Sequence, residues 1–179
     1  HAVNFQGNGN LSTWDVSNVT GMLTIFRNVD NFQGDVSNWV TSSVTNLEQA
    51  FGNLGASPSV QSFNQDISAW DVSSVTNLEF AFLSNFTFDQ DLSGWVTSSA
   101  TSMRLIFYNA SSFDSNLSAW DLSNVGNVED MLFRSGLSIT NYDTTLNGWA
   151  NNPNTPDGLS LGSADGLEYS DPTGRNILI

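Results

Sequence analysis

Carboxylates at repeated positions are the side chains of this sequence best suited to chemistry. Several Asp residues stand four residues before a Trp or in the turns beside such a position, and they are Asp35, Asp66, Asp89, Asp91 and Asp114. Calcium binds about six to eight oxygen ligands, which adjacent carboxylates could supply, so we consider Ca²⁺ as a cofactor held by these residues. The alternative is structural, because Asp at a turn accepts hydrogen bonds from the backbone two residues on. Asn116 stands at the same position without a charge, which favours that alternative.

The composition excludes several classes of function. The chain has 18 acidic against 4 basic residues, no Cys, and its single His is His1. A Ser-His-Asp or Cys-His enzyme is therefore not expected. Glycoside hydrolysis needs a pair of catalytic carboxylates, and the sequence has no acidic pair that stands apart from the repeat. We expect no enzyme activity. A net charge of −14 disfavours nucleic acid and acidic membrane surfaces, and no apolar run of about 18 residues predicts membrane insertion.

Six Trp residues reveal an internal repeat, and they are Trp14, Trp39, Trp70, Trp95, Trp120 and Trp149. Their separation of roughly 25 to 31 residues is a period that indicates a solenoid, in which each unit buries its apolar side chains against its neighbours. A large apolar residue at one position of every unit predicts that the Trp side chains pack in the core; stacking on sugar rings is the alternative.

Each unit has two parts that suggest a strand and a helix. In the third unit Val75, Leu78 and Phe82 have helical spacing, with Ser73 as the predicted N-cap. The segment 66–72 alternates like a short strand. One strand and one helix in so short a unit is leucine-rich-repeat geometry. We therefore predict an α/β fold: a right-handed β/α solenoid of about five such units over residues 1–149, with residues 150–179 as the C-terminal capping segment of the same domain.

The repeat resembles a known family of surface proteins. The run FNQDISAWDVSSVTNLEFAF at residues 63–82 and the closing NYDTTLNGWA at residues 141–150 are similar to BspA-type leucine-rich-repeat surface proteins, in the branch described as a mycoplasma repeat of unknown function. The resemblance implies a secreted or cell-surface location, a module inside a longer protein, and adhesion or partner binding. It carries no catalytic residues to this sequence.

Two features could form a binding surface. The residue after Trp alternates between acidic and apolar, in the order Asp15, Val40, Asp71, Val96 and Asp121. Such a strip could bind a ligand or simply be a solvated face that avoids stacking Asp on Asp. Extra residues in the segments 52–62, with Leu54 and Pro58, and 134–141, with Leu137, predict loops off a rigid scaffold, where specificity usually resides.

The function that these patterns favour is non-catalytic recognition of a protein or glycan on another cell or in the matrix. The absence of Cys and the abundance of small polar residues suit an extracellular surface protein, and the sequence looks like a mature product or a piece of a longer protein. A structural spacer is the first alternative. A carbohydrate-binding or ice-binding module is the next, the latter because of a regular Thr rank formed by Thr20, Thr45, Thr76 and Thr101.

Overall fold

The computed structural model describes residues 11–29, 31–53, 63–162, 167–168 and 170. These ranges contain two helices. A 3₁₀ helix covers Leu11–Thr13, and an α-helix, α1, covers Ile139–Asn151. The remaining described residues form turns and irregular segments, joined by isolated parallel β-bridges. We number the five repeat units by their Trp residues, so that unit 1 contains Trp14 and unit 5 contains Trp120.

The core consists of aromatic side chains that stack from one unit to the next. Five Trp residues are at most 5% exposed, which confirms the predicted core position for Trp39, Trp70, Trp95, Trp120 and Trp149. Trp14 departs from the prediction because it is 54% exposed. A second column contains Phe26, Phe51, Phe82 and Phe107, whose ring centroids are 4.9 to 6.0 Å apart. This spacing is typical of stacked aromatic pairs, so each unit buries the rings of its neighbour.

Backbone hydrogen bonds join the units in register. Between units 3 and 4 the amides of Leu78, Phe80 and Phe82 donate to carbonyl oxygens of unit 4 at 2.9 to 3.0 Å, and Ser84 donates at 2.7 Å. The same alternate residues donate at the other three interfaces between units. Parallel bridges mark this register, pairing Gly21 with Asn46, Asn46 with Asn77, Asn77 with Ser102, and Ser102 with Asn127. Backbone hydrogen bonds therefore join adjacent units, in addition to the packing of their side chains.

The predicted short helices do not form in the described units. In unit 3, alternate amides bond to the next unit, while Ala81 and Leu83 donate to carbonyls three residues earlier in their own unit. The α-helical pattern needs every amide to donate four residues back, so it cannot coexist with this ladder. Ser73 consequently caps no helix; its hydroxyl donates to the carboxylate of Asp71 at 2.6 Å.

The predicted strand over 66–72 is also absent, and the segment contains a turn at residues 68–69 and is otherwise irregular. The amide of Trp70 donates to the carbonyl of Ile67, which closes a turn within the unit. The parallel bridges lie later in each unit, near Asn77, where a helix was expected. The assignment of the whole fold to the right-handed leucine-rich-repeat class stays a prediction.

Helix α1 occupies the place of a sixth unit over part of unit 5. Ser138 caps it, with its hydroxyl accepting from the amide of Asn141 at 3.3 Å. Trp149 is fully buried, and its indole donates to the carbonyl of Leu117, as the indoles of the other four buried Trp residues do to their preceding units. Beyond the helix, Leu159 and Leu161 are buried, and the Leu161 carbonyl accepts from the Asp130 amide at 3.0 Å. These contacts cover the last unit; the predicted domain limits themselves stay untested.

Candidate ligand-binding surface

A strip of exposed side chains follows the Trp column on the outside of the stack. Its members are the residues directly after Trp in units 1 to 5, namely Asp15, Val40, Asp71, Val96 and Asp121. Val40 and Val96 are 58% and 56% exposed, and Asp121 is half-buried. We call this set the Asp/Val strip. Val40 and Val96 lie two units apart with Asp71 between them, so the strip presents single apolar side chains alternating with carboxylates.

Two kinds of unit alternate along the stack, and they differ in the two residues that follow Trp. In units 1, 3 and 5 the apolar residue two positions after Trp is buried, and in units 2 and 4 that position holds Thr41 and Thr97, each 2% exposed. The hydroxyl of Thr97 donates to the carbonyl oxygen of Asp121 at 3.0 Å, and Thr41 bonds Asp71 in the same way. The Thr hydroxyl of one kind of unit therefore donates to the backbone carbonyl of the Asp in the other kind. This role of Thr was not predicted from the sequence, although Thr in the place of Val was a visible signal.

The acidic members of the strip are held by neighbouring serines. Oδ1 of Asp71 accepts from the amide of Ser73 at 3.0 Å and from its hydroxyl at 2.6 Å, and Asp15 bonds Ser17 in the same way. The hydroxyl of Ser73, with its amide second, lowers the pKa of the Asp71 carboxyl below its ordinary value of 3.8. Asp15 and Asp71 therefore present oriented, ionised carboxylates at neutral pH.

The second column of carboxylates forms the turns that the structural alternative predicts. Asp35, Asp66 and Asp91 each accept from the amide of the Ser two residues on, at 2.9 to 3.0 Å. Asn116 does the same with Ser118 at 2.9 Å, which confirms the Asx-turn interpretation at that position. The hydroxyl and then the amide of Ser68 lower the pKa of Asp66, against smaller opposing contributions from burial and the Asp35 charge.

Asp89, Asp91 and Asp114 line one open depression of about 330 Å³. Oδ1 of Asp114 is already engaged: it accepts from the amide and hydroxyl of Ser138 and from the amide group of Asn141 at 2.8 to 2.9 Å. Burial raises the pKa of Asp114, and these donors outweigh it, so the pKa is lowered. The described residues contain no group of three or more acidic, His or Cys side chains arranged to hold a metal ion. Calcium binding stays a hypothesis.

The other predicted binding residues lie apart from the strip. Leu54 and Pro58 fall outside the described residues, with most of the segment 52–62. Leu137 is 7% exposed and belongs to the core, so its side chain offers no surface to a ligand. Of the predicted loop 134–141, residues 134–137 have no regular secondary structure beyond a turn at Arg134, Ser138 is the N-cap of α1, and residues 139–141 belong to that helix.

The Thr rank is a product of stacking between units. The hydroxyl of Thr101 donates to the carbonyl oxygen of Thr76 at 3.0 Å, and Thr76 and Thr45 donate to the preceding Thr in turn. The amides of the same residues donate to the same carbonyls. These contacts give the rank a role in the fold.

Comparison with known proteins identifies one relationship. A family model described as "Mycoplasma protein of unknown function, DUF285" matches residues 1–57 and 58–149. No curated protein and no solved structure matches the chain. In the part of the chain that the structure describes, the helices are too short or too polar to cross a membrane.

Proposed function

We propose that this chain, which belongs to the family described as "Mycoplasma protein of unknown function, DUF285", is a non-catalytic ligand-recognition module of adhesion type. The observation that carries the proposal is the Asp/Val strip. It presents apolar and ionised side chains in alternation along a stack whose interior is fixed by hydrogen bonds and aromatic contacts. Rigid scaffolds with a regular outer face bind extended partners through that face.

The proposal also covers the group of surface proteins to which the chain is related and its location. We place the chain among BspA-type leucine-rich-repeat surface proteins, as part of a longer secreted or cell-surface protein. The support is the register of its repeated motif and its composition, which is acidic and free of Cys. The repeated contacts between units support a solenoid, and we propose that this solenoid is right-handed.

The charge of the strip indicates the chemistry of the ligand. Asp15 and Asp71 are ionised at neutral pH, and the hydrogen bonds from Ser17 and Ser73, which lower the pKa of each carboxyl, extend that charge to lower pH. No Lys or Arg side chain belongs to the strip, and valines separate the carboxylates. A partner with basic groups spaced by two units and apolar groups between them would complement this pattern.

The test is binding of the purified chain to an array of matrix proteins and glycans, in calcium and again in EDTA. We expect saturable, salt-sensitive binding to one class of ligand. The double variant Val40→Ser/Val96→Ser should weaken it at least tenfold. The matched control is Ile139→Ser, because Ile139 is also exposed, at 42%, but lies on α1 away from the strip.

Each alternative outcome has a distinct meaning. A folded sample that binds nothing in either buffer would overturn the proposal and favour a structural spacer. Binding that the double variant and the control lose equally would place the ligand elsewhere on the surface. Binding lost in EDTA would assign calcium a part in recognition.

A further inference from the structure

The Asp/Val strip has a regular step, because each of its members belongs to a successive unit. The Phe rings of the core column lie 4.9 to 6.0 Å apart from unit to unit. Trp rings directly before members of the strip stack at 5.8 to 6.4 Å. The backbones form parallel bridges, which lie about 4.8 Å apart. One step of the strip is therefore about 5–6 Å, and the four steps from Asp15 to Asp121 span about 20–24 Å.

This step decides which secondary structure can contact every unit in turn. An α-helix rises about 5.4 Å per turn, so side chains one turn apart on one face of a helix meet successive units. Four turns of helix span about 21 Å, which matches the length of the strip. An extended chain presents a side chain to one face every ~6.7 Å, so four such intervals cover about 27 Å and pass the end of the strip. The step therefore favours a helix over an extended peptide.

The alternation of side chains determines which residues that helix carries. Asp15 and Asp71 are exposed carboxylates two units apart, and Val40 and Val96 are the exposed apolar members. Two units correspond to about seven residues of helix. Arg or Lys at every seventh residue would therefore meet the carboxylates, and an apolar residue midway between them would meet each Val. The net charge of −14 attracts such a basic helix to the chain.

Small residues beside the strip leave room for a helix. Each buried Trp points inward, so the residues directly before and after it both face solvent. In units 3, 4 and 5 the exposed residue before Trp is Ala69, Gly94 or Ala119. A β-carbon placed on Gly94 would meet no atom within 4 Å beyond its chain neighbours, so this side of the strip is open. A helix about 10 Å across can therefore approach the Asp and Val side chains without a bulky neighbour in its way.

We propose that the Asp/Val strip is a docking surface for a basic amphipathic helix of a partner protein. That helix carries Arg or Lys at every seventh residue and an apolar residue about four positions after each. The carboxylates of units 1, 3 and 5 pair with its basic groups, and the valines of units 2 and 4 pack against its apolar residues. This inference rests on the proposed ligand recognition and names the partner of the same surface.

The test compares two synthetic peptides of the same composition and of about 18 residues, enough to cover the strip as a helix. In the helix-register peptide, Arg stands at every seventh position and Leu four positions after the first and second Arg, with Ala and Gln elsewhere to favour a helix. In the strand-register peptide the same Arg and Leu residues alternate at every second position, which suits an extended chain. Fluorescence anisotropy of the labelled peptides measures binding to the full chain, and circular dichroism measures the helix formed on binding.

We expect the helix-register peptide to bind at least about tenfold more tightly than the strand-register peptide, because it alone sets charges and apolar groups opposite their partners. Its helix content should rise on binding. The double variant Val40→Ser/Val96→Ser should weaken its binding about fivefold or more, because both apolar contacts are lost.

A second pair of variants tests the charges. Asp15→Asn/Asp71→Asn removes two charges from the strip, and the side-chain oxygen of Asn still accepts from the backbone, as that of Asn116 does. This variant should weaken binding of the helix-register peptide about fivefold. The matched control Asp35→Asn/Asp66→Asn removes two charges from the other column, where each Asp forms the same turn. It should change binding less than about twofold, because salt screens charges away from the contact.

Two results would overturn the inference. One is equal binding of the two peptides, or binding of neither, which would show that the strip does not select a helix. The other is an equal loss in Asp15→Asn/Asp71→Asn and in its control, which would assign binding to the acidic surface in general. The array of matrix proteins and glycans separates this failure from that of the proposed function. An array ligand that Val40→Ser/Val96→Ser weakens, with neither peptide bound, would overturn the helix alone, and no ligand in either experiment would overturn both.

Discussion

The indole Nε1 of Trp70 donates a hydrogen bond of 3.0 Å to the carbonyl oxygen of Val36 in the preceding unit. The same carbonyl accepts from the amide of Trp39 within its own unit. Equivalent bonds of 2.9 to 3.1 Å link each of the other four buried Trp side chains to the preceding unit. Trp therefore has two roles at this position, since it fills the core and connects successive units.

The first prediction concerns this bond. Trp70→Phe should lower the free energy of unfolding by about 2 kcal/mol, because it removes a buried hydrogen bond and part of the side-chain volume. Urea titration followed by circular dichroism measures the change. Trp14→Phe is the matched control, because this Trp is 54% exposed, and it should cost less than about 0.5 kcal/mol. Equal losses for the two variants would contradict a role for the bond between units.

The second prediction concerns the hydroxyl that joins the two kinds of unit. Thr97→Val keeps the shape of the side chain but removes the donor to the Asp121 carbonyl, so we expect a loss of about 1–3 kcal/mol in stability. In Thr101→Val the carbonyl of Thr76 keeps the amide of residue 101 as its donor, and the site is exposed. That control should lose about 0.5 kcal/mol or less. The same urea titration compares them, and a reversed order would exclude the proposed role of Thr97.

The third prediction is a dependence of stability on pH. Hydroxyl and amide donors lower the pKa of Asp35, Asp66 and Asp71 below the ordinary value of 3.8. A carboxyl whose pKa is lower in the folded than in the unfolded chain stabilises the fold above its unfolded pKa. That stabilisation is lost as the pH falls through the folded pKa. The thermal midpoint should therefore fall as the pH drops below about 4.

Serine variants separate this effect from the general loss of negative charge. The triple variant Ser37→Ala/Ser68→Ala/Ser73→Ala removes the hydroxyl donors and should reduce the fall in thermal midpoint between about pH 5 and pH 2.5. Ser112→Ala is the control, because its hydroxyl donates to the Phe86 carbonyl and to no carboxylate. Identical pH profiles for the two variants would refute the assignment.

The sequence was sufficient to predict the aromatic core. A large apolar residue recurs at the same positions of each unit, and stacked units must bury it, as they do with Phe63, Phe88 and Phe113. The Asp/Val strip was also predictable, because four of its five members directly follow a buried Trp. Exposure of Trp14 was not, because the repeat pattern gives unit 1 the same residues as its neighbours and says nothing about what covers it.

The helices were mispredicted because periodicity reports which side chains face inward and not where the amides donate. Val75, Leu78 and Phe82 face the core in both a helix and a stacked turn run. What distinguishes the two is the backbone, which carries left-handed residues at Phe80 and Ser84 with φ of 58° and 51°. Glycine would have signalled such positions, but these units place ordinary residues there.

The last prediction tests that backbone conformation. An L-residue in the left-handed region costs about 1–2 kcal/mol relative to its preferred conformation, whereas glycine adopts it freely. Ser84→Gly should therefore raise the free energy of unfolding by up to about 1 kcal/mol, once the entropy of glycine in the unfolded chain is subtracted. Ser74→Gly is the matched control, since Ser74 lies in the same unit and is half-buried but has no positive φ. It should lower the stability by about 0.5–1 kcal/mol. Opposite signs for the two substitutions in urea titration would establish the left-handed turn, and a loss in both would contradict it.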